Sequence, residues 1–244
     1  MKPFFSLLGL LCLGLTACNF TEEVYLQPDG SGSVAFSMDA SALMALAADA
    51  DSPPEEPVDT VMYFSDMLRE KQDSISALPL AEQQRLARLE PYRLHMTMEP
   101  EAERFTFSLE RDFTDISEVG DSFNAFQEAG ALNPDNGDSP MGAATELQQS
   151  TAVDFSFASG RFKRSGRIVD ADLHQQRLDS LEGAAAFLGG ATYTLKIHFP
   201  SKVRSSTASD ATLSLEGKTL VREVDLLEYL RDPTLLDMEV ELEK

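Results

Sequence analysis

The closing stretch of the chain constrains its fold most strongly. Leu236, Met238, Val240 and Leu242 alternate one for one with Asp237, Glu239, Glu241 and Glu243. A two-residue period is the pleat of a β-strand, and a one-sided version of it belongs to an antiparallel sheet with one solvated face. The same period recurs along the chain. Leu94, Met96 and Met98 alternate with Arg93, His95, Thr97 and Glu99, the chain turns at Pro100 to Glu103, and Phe105, Phe107 and Leu109 return on the apolar face. Val153, Phe155 and Phe157 lead through Ala158-Ser159-Gly160 to Phe162 and Ile168, which the alternation places inward. Tyr193, Leu195, Ile197 and Phe199 form another strand, stopped by Pro200. Residues 23–39 form a hairpin turning at Pro28-Asp29-Gly30-Ser31-Gly32, and Val58 to Phe64 a short strand.

Between these runs the period lengthens to that of a helix. Asp39 caps a short helix with Leu43, Met44 and Leu46, and Phe64, Met67, Leu68 and Ile75 share a stripe. Pro79 opens a helix running to about Glu90. Thr114 or Asp115 starts one with Ile116, Val119, Phe123 and Phe126 on one face. Asp170 caps another, carrying Leu173, Leu178, Leu181 and Leu188, and Asp225 to Arg231 is a short last helix. The expected fold class is therefore α+β: antiparallel sheets built from hairpin–helix units, with helices on one face. Residues 49–57 and 130–148 lack periodicity, are broken by proline, and are expected to be mobile. The domain forms one body or two lobes around them.

The N-terminus carries a different signal. Lys2 precedes an apolar run from Phe4 to Leu15, too short to span a bilayer, and the run ends in Leu15-Thr16-Ala17-Cys18. This is the pattern of a secretory signal peptide closing on a lipobox. It predicts cleavage after Ala17, a signal peptide of residues 1–17, a mature domain of 18–244, and lipidation of Cys18. Acyl chains contribute about 0.8 kcal/mol per buried methylene, so two or three of them make a durable membrane anchor. The other cysteine, Cys12, leaves with the signal peptide. The mature domain then has no disulfide, and stability falls to its core.

Charge narrows the partners. The chain has 20 Lys and Arg against 41 Asp and Glu, a formal net charge of −21. Such a domain is repelled by phosphate backbones, which excludes nucleic acid, and by anionic head groups unless divalent cations bridge them.

Catalytic patterns are not found. There is no G-x-S-x-G elbow, no S-x-x-K and no glycine-rich phosphate loop. His95, His174 and His198 lack metal-ligand spacing and are expected at the surface. The acids at Asp49, Asp51, Glu55, Glu56, Asp135 and Asp138 do not follow the EF-hand pattern and read as solvated linkers. No metal and no cofactor is expected. One basic run stands out: Arg161, Lys163, Arg164 and Arg167. Strand alternation puts Arg161, Lys163 and Arg167 on one face. They form a docking patch for an anionic group or partner only if they lack carboxylate neighbours; otherwise they are ordinary cross-strand pairs.

Two resemblances complete the reading. Cys18-Asn19-Phe20-Thr21-Glu22-Glu23, Pro28-Asp29-Gly30-Ser31-Gly32, the strand Tyr193 to Pro200 with Asp210-Ala211, and the terminal Glu239 to Lys244 resemble uncharacterised lipoproteins of the Bacteroidetes. The strand ending in Phe199-Pro200, followed by a hairpin, resembles the mycobacterial LppM-type domain. These resemblances imply an envelope or lipid-related role and carry no catalytic residue. The expected function is non-catalytic: a lipoprotein anchored through Cys18 in the bacterial envelope, at the outer membrane, that binds or scaffolds an envelope protein. A carrier of lipid or another hydrophobic ligand is the alternative, and a hydrolase the second.

Overall fold

A computed structural model of the chain describes residues 19–41, 56–130, 150–181 and 188–244. Cys18, the helix expected around Leu43 to Leu46, and nearly all of the segments 49–57 and 130–148 lie outside the described residues.

Two sheets carry the fold. The larger has eight strands: β1 (Asn19–Leu26), β2 (Gly32–Asp39), β3 (Val58–Tyr63), β4 (Arg93–Glu99), β5 (Arg104–Phe113), β8 (Thr192–His198), β10 (Thr212–Leu213) and β11 (Thr219–Asp225), in the order β10-β11-β8-β1-β2-β5-β4-β3. The smaller has β6 (Thr151–Ala158), β7 (Arg161–Ile168), β9 (Val203–Ser206) and β12 (Met238–Leu242), in the order β6-β7-β12-β9. All pairings but one are antiparallel, as the alternation predicts. The exception is β1 with β8, which run parallel, Phe20 level with Tyr193 and Tyr25 with His198. The first strand is thus central in the large sheet, clamped between its own hairpin partner and a strand some 170 residues later.

The helices are short. α1 (Phe64–Glu70), α2 (Gln72–Ser76) and α3 (Leu80–Ala87) link β3 to β4; α4 (Ser122–Gly130) follows β5; α5 (Ala171–Leu181) follows β7; and α6 (Leu226–Arg231) follows β11. The helix expected from Asp115 is broken in two. Asp115 caps a single 3-10 turn, Ile116–Glu118, through a capping box. Gly120 then turns the chain at φ +66°, a conformation glycine adopts without strain. Asp121 restarts it as α4 by accepting from the backbone N–H of Asn124 at 3.0 Å.

The β4–β5 hairpin turns where expected, and its apolar residues pair on one face: Leu94 with Leu109, Met96 with Phe107 and Met98 with Phe105. The β6–β7 turn puts Ser159 and Gly160 at positive φ, the geometry whose twist matches the strands it joins. Ile168, expected inward, is exposed at the end of β7. The inner faces of both sheets meet in one continuous core. Phe20, Phe36, Phe123, Phe126, Tyr193 and Tyr229 form its aromatic centre, with ring centroids 4.4–6.4 Å apart.

Candidate functional site

The three cations that would form a docking patch if unpartnered lie on the outer face of β7, and each has a carboxylate partner. Arg161 lies 3.8 Å from Glu241, Lys163 3.0 Å from Glu239, and Arg167 pairs with Asp154. The partners stand on the strands flanking β7, on β12 and β6. The patch is an ordinary cross-strand charge ladder, each pair contributing at most about 1 kcal/mol. The premise of the docking reading, cations without acid neighbours, is therefore not met.

The fourth member of that run is a different matter. Alternation on β7 turns Phe162, Arg164 and Gly166 inward, and Arg164 is 1% exposed. Its Nη2 donates to the Tyr229 hydroxyl at 3.1 Å, and its Nη1 lies 3.9 Å from the Asp237 carboxylate. The guanidinium also lies over the rings of Phe155 and Tyr229, 5.8 and 5.7 Å from their centroids. Among the described residues its Nε has no hydrogen-bond partner.

Two acids, one buried and one half-buried, face it from two other elements. Glu22, on the inner face of β1, is also 1% exposed and accepts from the Tyr193 hydroxyl at 2.9 Å. Asp121, at the head of α4, accepts from the Asn124 side chain at 2.9 Å and from Thr151 Oγ1 at 3.2 Å. Burial pushes both carboxyls above their ordinary range, and the Arg164 charge opposes the shift in each. Burial works against the charge on Arg164 as well, but Tyr229, Glu22 and Tyr193 outweigh it and hold the guanidinium protonated. Beside this cluster lies a cavity of about 20 Å³, lined by Asp121, Asn124, Ser150, Thr151, His174 and Tyr229. It has room for about one water molecule and several polar groups to hold it.

His174 borders that cavity and is buried, contrary to its expected place at the surface. Its Nε2 lies 3.1 Å from the Arg231 carbonyl, which can only accept, so Nε2 carries the proton. Nδ1 then accepts from Ser150 Oγ at 3.3 Å. The other two histidines stand on outward strand faces, as expected. His95 Nε2 pairs with Asp59 at 2.7 Å. His198 lies flat on Tyr25, ring centroids 4.1 Å apart, and shares Glu23 with Lys196. Partial burial would raise Glu23, but hydrogen bonds from Lys196, His198 and Tyr25 outweigh it and hold its carboxyl below the usual range. Among the described residues no group of three or more His, Cys, Asp or Glu is placed to hold a metal ion.

The buried set is a charge-compensated network that ties β1, β7, β8, α4 and α6 together. Its pH response follows from Glu22. A carboxyl raised by burial makes the folded chain bind its proton more tightly than the unfolded chain does. Glu22 therefore supports the fold below the ordinary glutamate value of 4.5, and the support drains away as pH rises through the raised value. The stability difference between wild type and Glu22→Gln, followed by urea unfolding from pH 4 upward, is expected to fall with pH, by no more than about 1.4 kcal/mol per unit. A difference that grows with pH would show a carboxylate the fold prefers ionised.

Comparison with known proteins gives one match of structure. The chain is similar to the folded domain of LppM from Mycobacterium tuberculosis, solved by NMR, with 10% sequence identity and a TM-score of 0.35 over 93% of this chain and 89% of that one. No family model matches the sequence, and no curated protein matches it. The resemblance to Bacteroidetes lipoproteins thus has no matching family behind it.

Proposed function

We propose that this chain is a lipoprotein held on a membrane of the bacterial envelope through lipidated Cys18, and that its folded domain acts by binding or scaffolding and not by catalysis. The observation that carries the reading is the sequence Leu15-Thr16-Ala17-Cys18 at the end of a short apolar run. No helix among the described residues is long and apolar enough to cross a membrane. The non-catalytic part is supported by the perturbed acids. Glu22 is buried and accepts from Tyr193, and the half-buried Asp121 accepts from Asn124 and Thr151, so both are engaged in holding elements of the fold together. The outer membrane is the proposed location and an envelope protein the proposed partner.

Detergent phase partitioning tests the anchor. Wild type is expected in the detergent phase, and Cys18→Ser in the aqueous phase or unprocessed. Equal partitioning of the two proteins would overturn the lipoprotein reading.

A further inference from the structure

Resting on that reading, we infer that the domain stands directly on the bilayer, with the Asn19 end of the large sheet as its membrane-facing surface. Consecutive Cα atoms are about 3.8 Å apart, so a lipidated Cys18 holds Asn19 at the head groups. Asn19 is not on a tether. It is the first residue of β1, paired with Asp39 on one side and hydrogen-bonded on the other by Thr192 Oγ1 at 3.1 Å. The sheet register then states what else lies at that level. The row runs from Asp59 through Thr97, Thr106, Asp39, Asn19 and Thr192 to Asp225, seven strands wide.

A second observation falls on the same rim. Beyond the row, towards the membrane, come Val58, Met98 and Phe105, paired across β3, β4 and β5. Behind them on the same face stand Met96 and Phe107. All five are only half-buried, Phe105 and Phe107 with one side against the core. Large apolar side chains clustered at the edge of a fold mark a contact surface. Here the covalent anchor says which surface: the acyl–head-group boundary of a bilayer. The turn joining β4 to β5 extends this corner and carries Glu99, Glu101 and Glu103. With Asp39, Asp59 and Asp225 on the row behind, the rim suits a zwitterionic phospholipid face and is repelled by an anionic one.

The opposite end of the sheet would be free in the periplasm or at the cell surface. It lies one length of β1 away, eight residues or about 25 Å. It includes the Pro28–Gly30 turn and the fully exposed Leu215.

The test uses the lipidated full chain in phosphatidylcholine vesicles, with single cysteines added for an environment-sensitive fluorophore at Glu101→Cys, Asp29→Cys and Leu215→Cys. All three positions are exposed, so the variants should fold. Signal is read only from protein that floats with the vesicles. Quenching by spin-labelled lipid is expected to be severalfold stronger at position 101 than at 29 or 215, and to weaken when phosphatidylglycerol is added. Equal quenching at both ends, or stronger quenching at 215, overturns the orientation while leaving the anchor in place. Equal or stronger quenching on anionic vesicles overturns the assignment of a zwitterionic face. Failure of the wild type to float at all would defeat the anchor, and the orientation with it.

Discussion

Replacing Arg164 with alanine is expected to cost about 3–5 kcal/mol, the loss measured when one member of a buried charged set is removed. The side chain is sealed at the junction of the two sheets. Its removal leaves the Tyr229 hydroxyl without its donor and takes from Glu22 and Asp121 the cation that moderates their burial. It also opens a void against Phe155, whose ring the guanidinium covers. The charge, not the volume, is the larger part. The double variant Arg164→Met with Glu22→Gln removes both charges while keeping most of the bulk. It should recover much of the loss, since well-packed neutral replacements of buried ion pairs are often tolerated. Urea unfolding at neutral pH measures both. A loss below about 1 kcal/mol for Arg164→Ala, the scale of a surface substitution, would mean that the network does not hold the sheets together.

Gly166→Ala should be nearly as damaging for a different reason. Gly166 lies two residues beyond Arg164 on the same inward face of β7, pressed against the 3-10 turn Pro233–Leu236. Its N–H donates to the Asp237 side chain, the same carboxylate that approaches Arg164. A methyl group there would meet the Pro233 carbonyl oxygen at 2.3 Å and its carbon at 2.8 Å. Both are backbone atoms, so no side-chain rotation relieves the contact; β7 and the turn must separate. Overpacking usually costs about 1–3 kcal/mol, and a backbone collision belongs at or beyond the top of that range. Gly217 is the control. It sits at φ +70°, but an added Cβ there meets nothing nearer than the Lys202 side chain at 3.8 Å. Gly217→Ala should cost only the strain of its backbone conformation, about 1–2 kcal/mol. Equal losses at the two positions would show that close approach at Gly166 does not matter.

The two positions also show how far a sequence can be read. Alternation in Phe162-Arg164-Gly166 already turned Arg164 inward, because strand period fixes the face of every residue on it. The charge of Arg164 argues the other way, since an unpaired charge is costly to bury. What makes the burial tolerable arrives from elsewhere in the chain: Tyr229 from α6, Asp237 from the turn before β12, Glu22 from β1. The outward neighbours were equally legible as a face, but not as partners. That Glu241, Glu239 and Asp154 neutralise Arg161, Lys163 and Arg167 depends on which strands flank β7.

The sequence by itself determined most of the strands, the hairpin turns of β4 with β5 and β6 with β7, and the faces of most of their side chains. Those follow from local period and turn chemistry, which involve residues close in the chain. Only the tertiary structure decided that β1 lies parallel to β8, that Asp121 restarts a helix the apolar stripe had run straight through, and that His174 is buried against Arg231. A period states which way a side chain points. It carries no information about what will stand opposite, because that choice is made by packing between segments up to some 170 residues apart, where shape and charge compensation outweigh local preference.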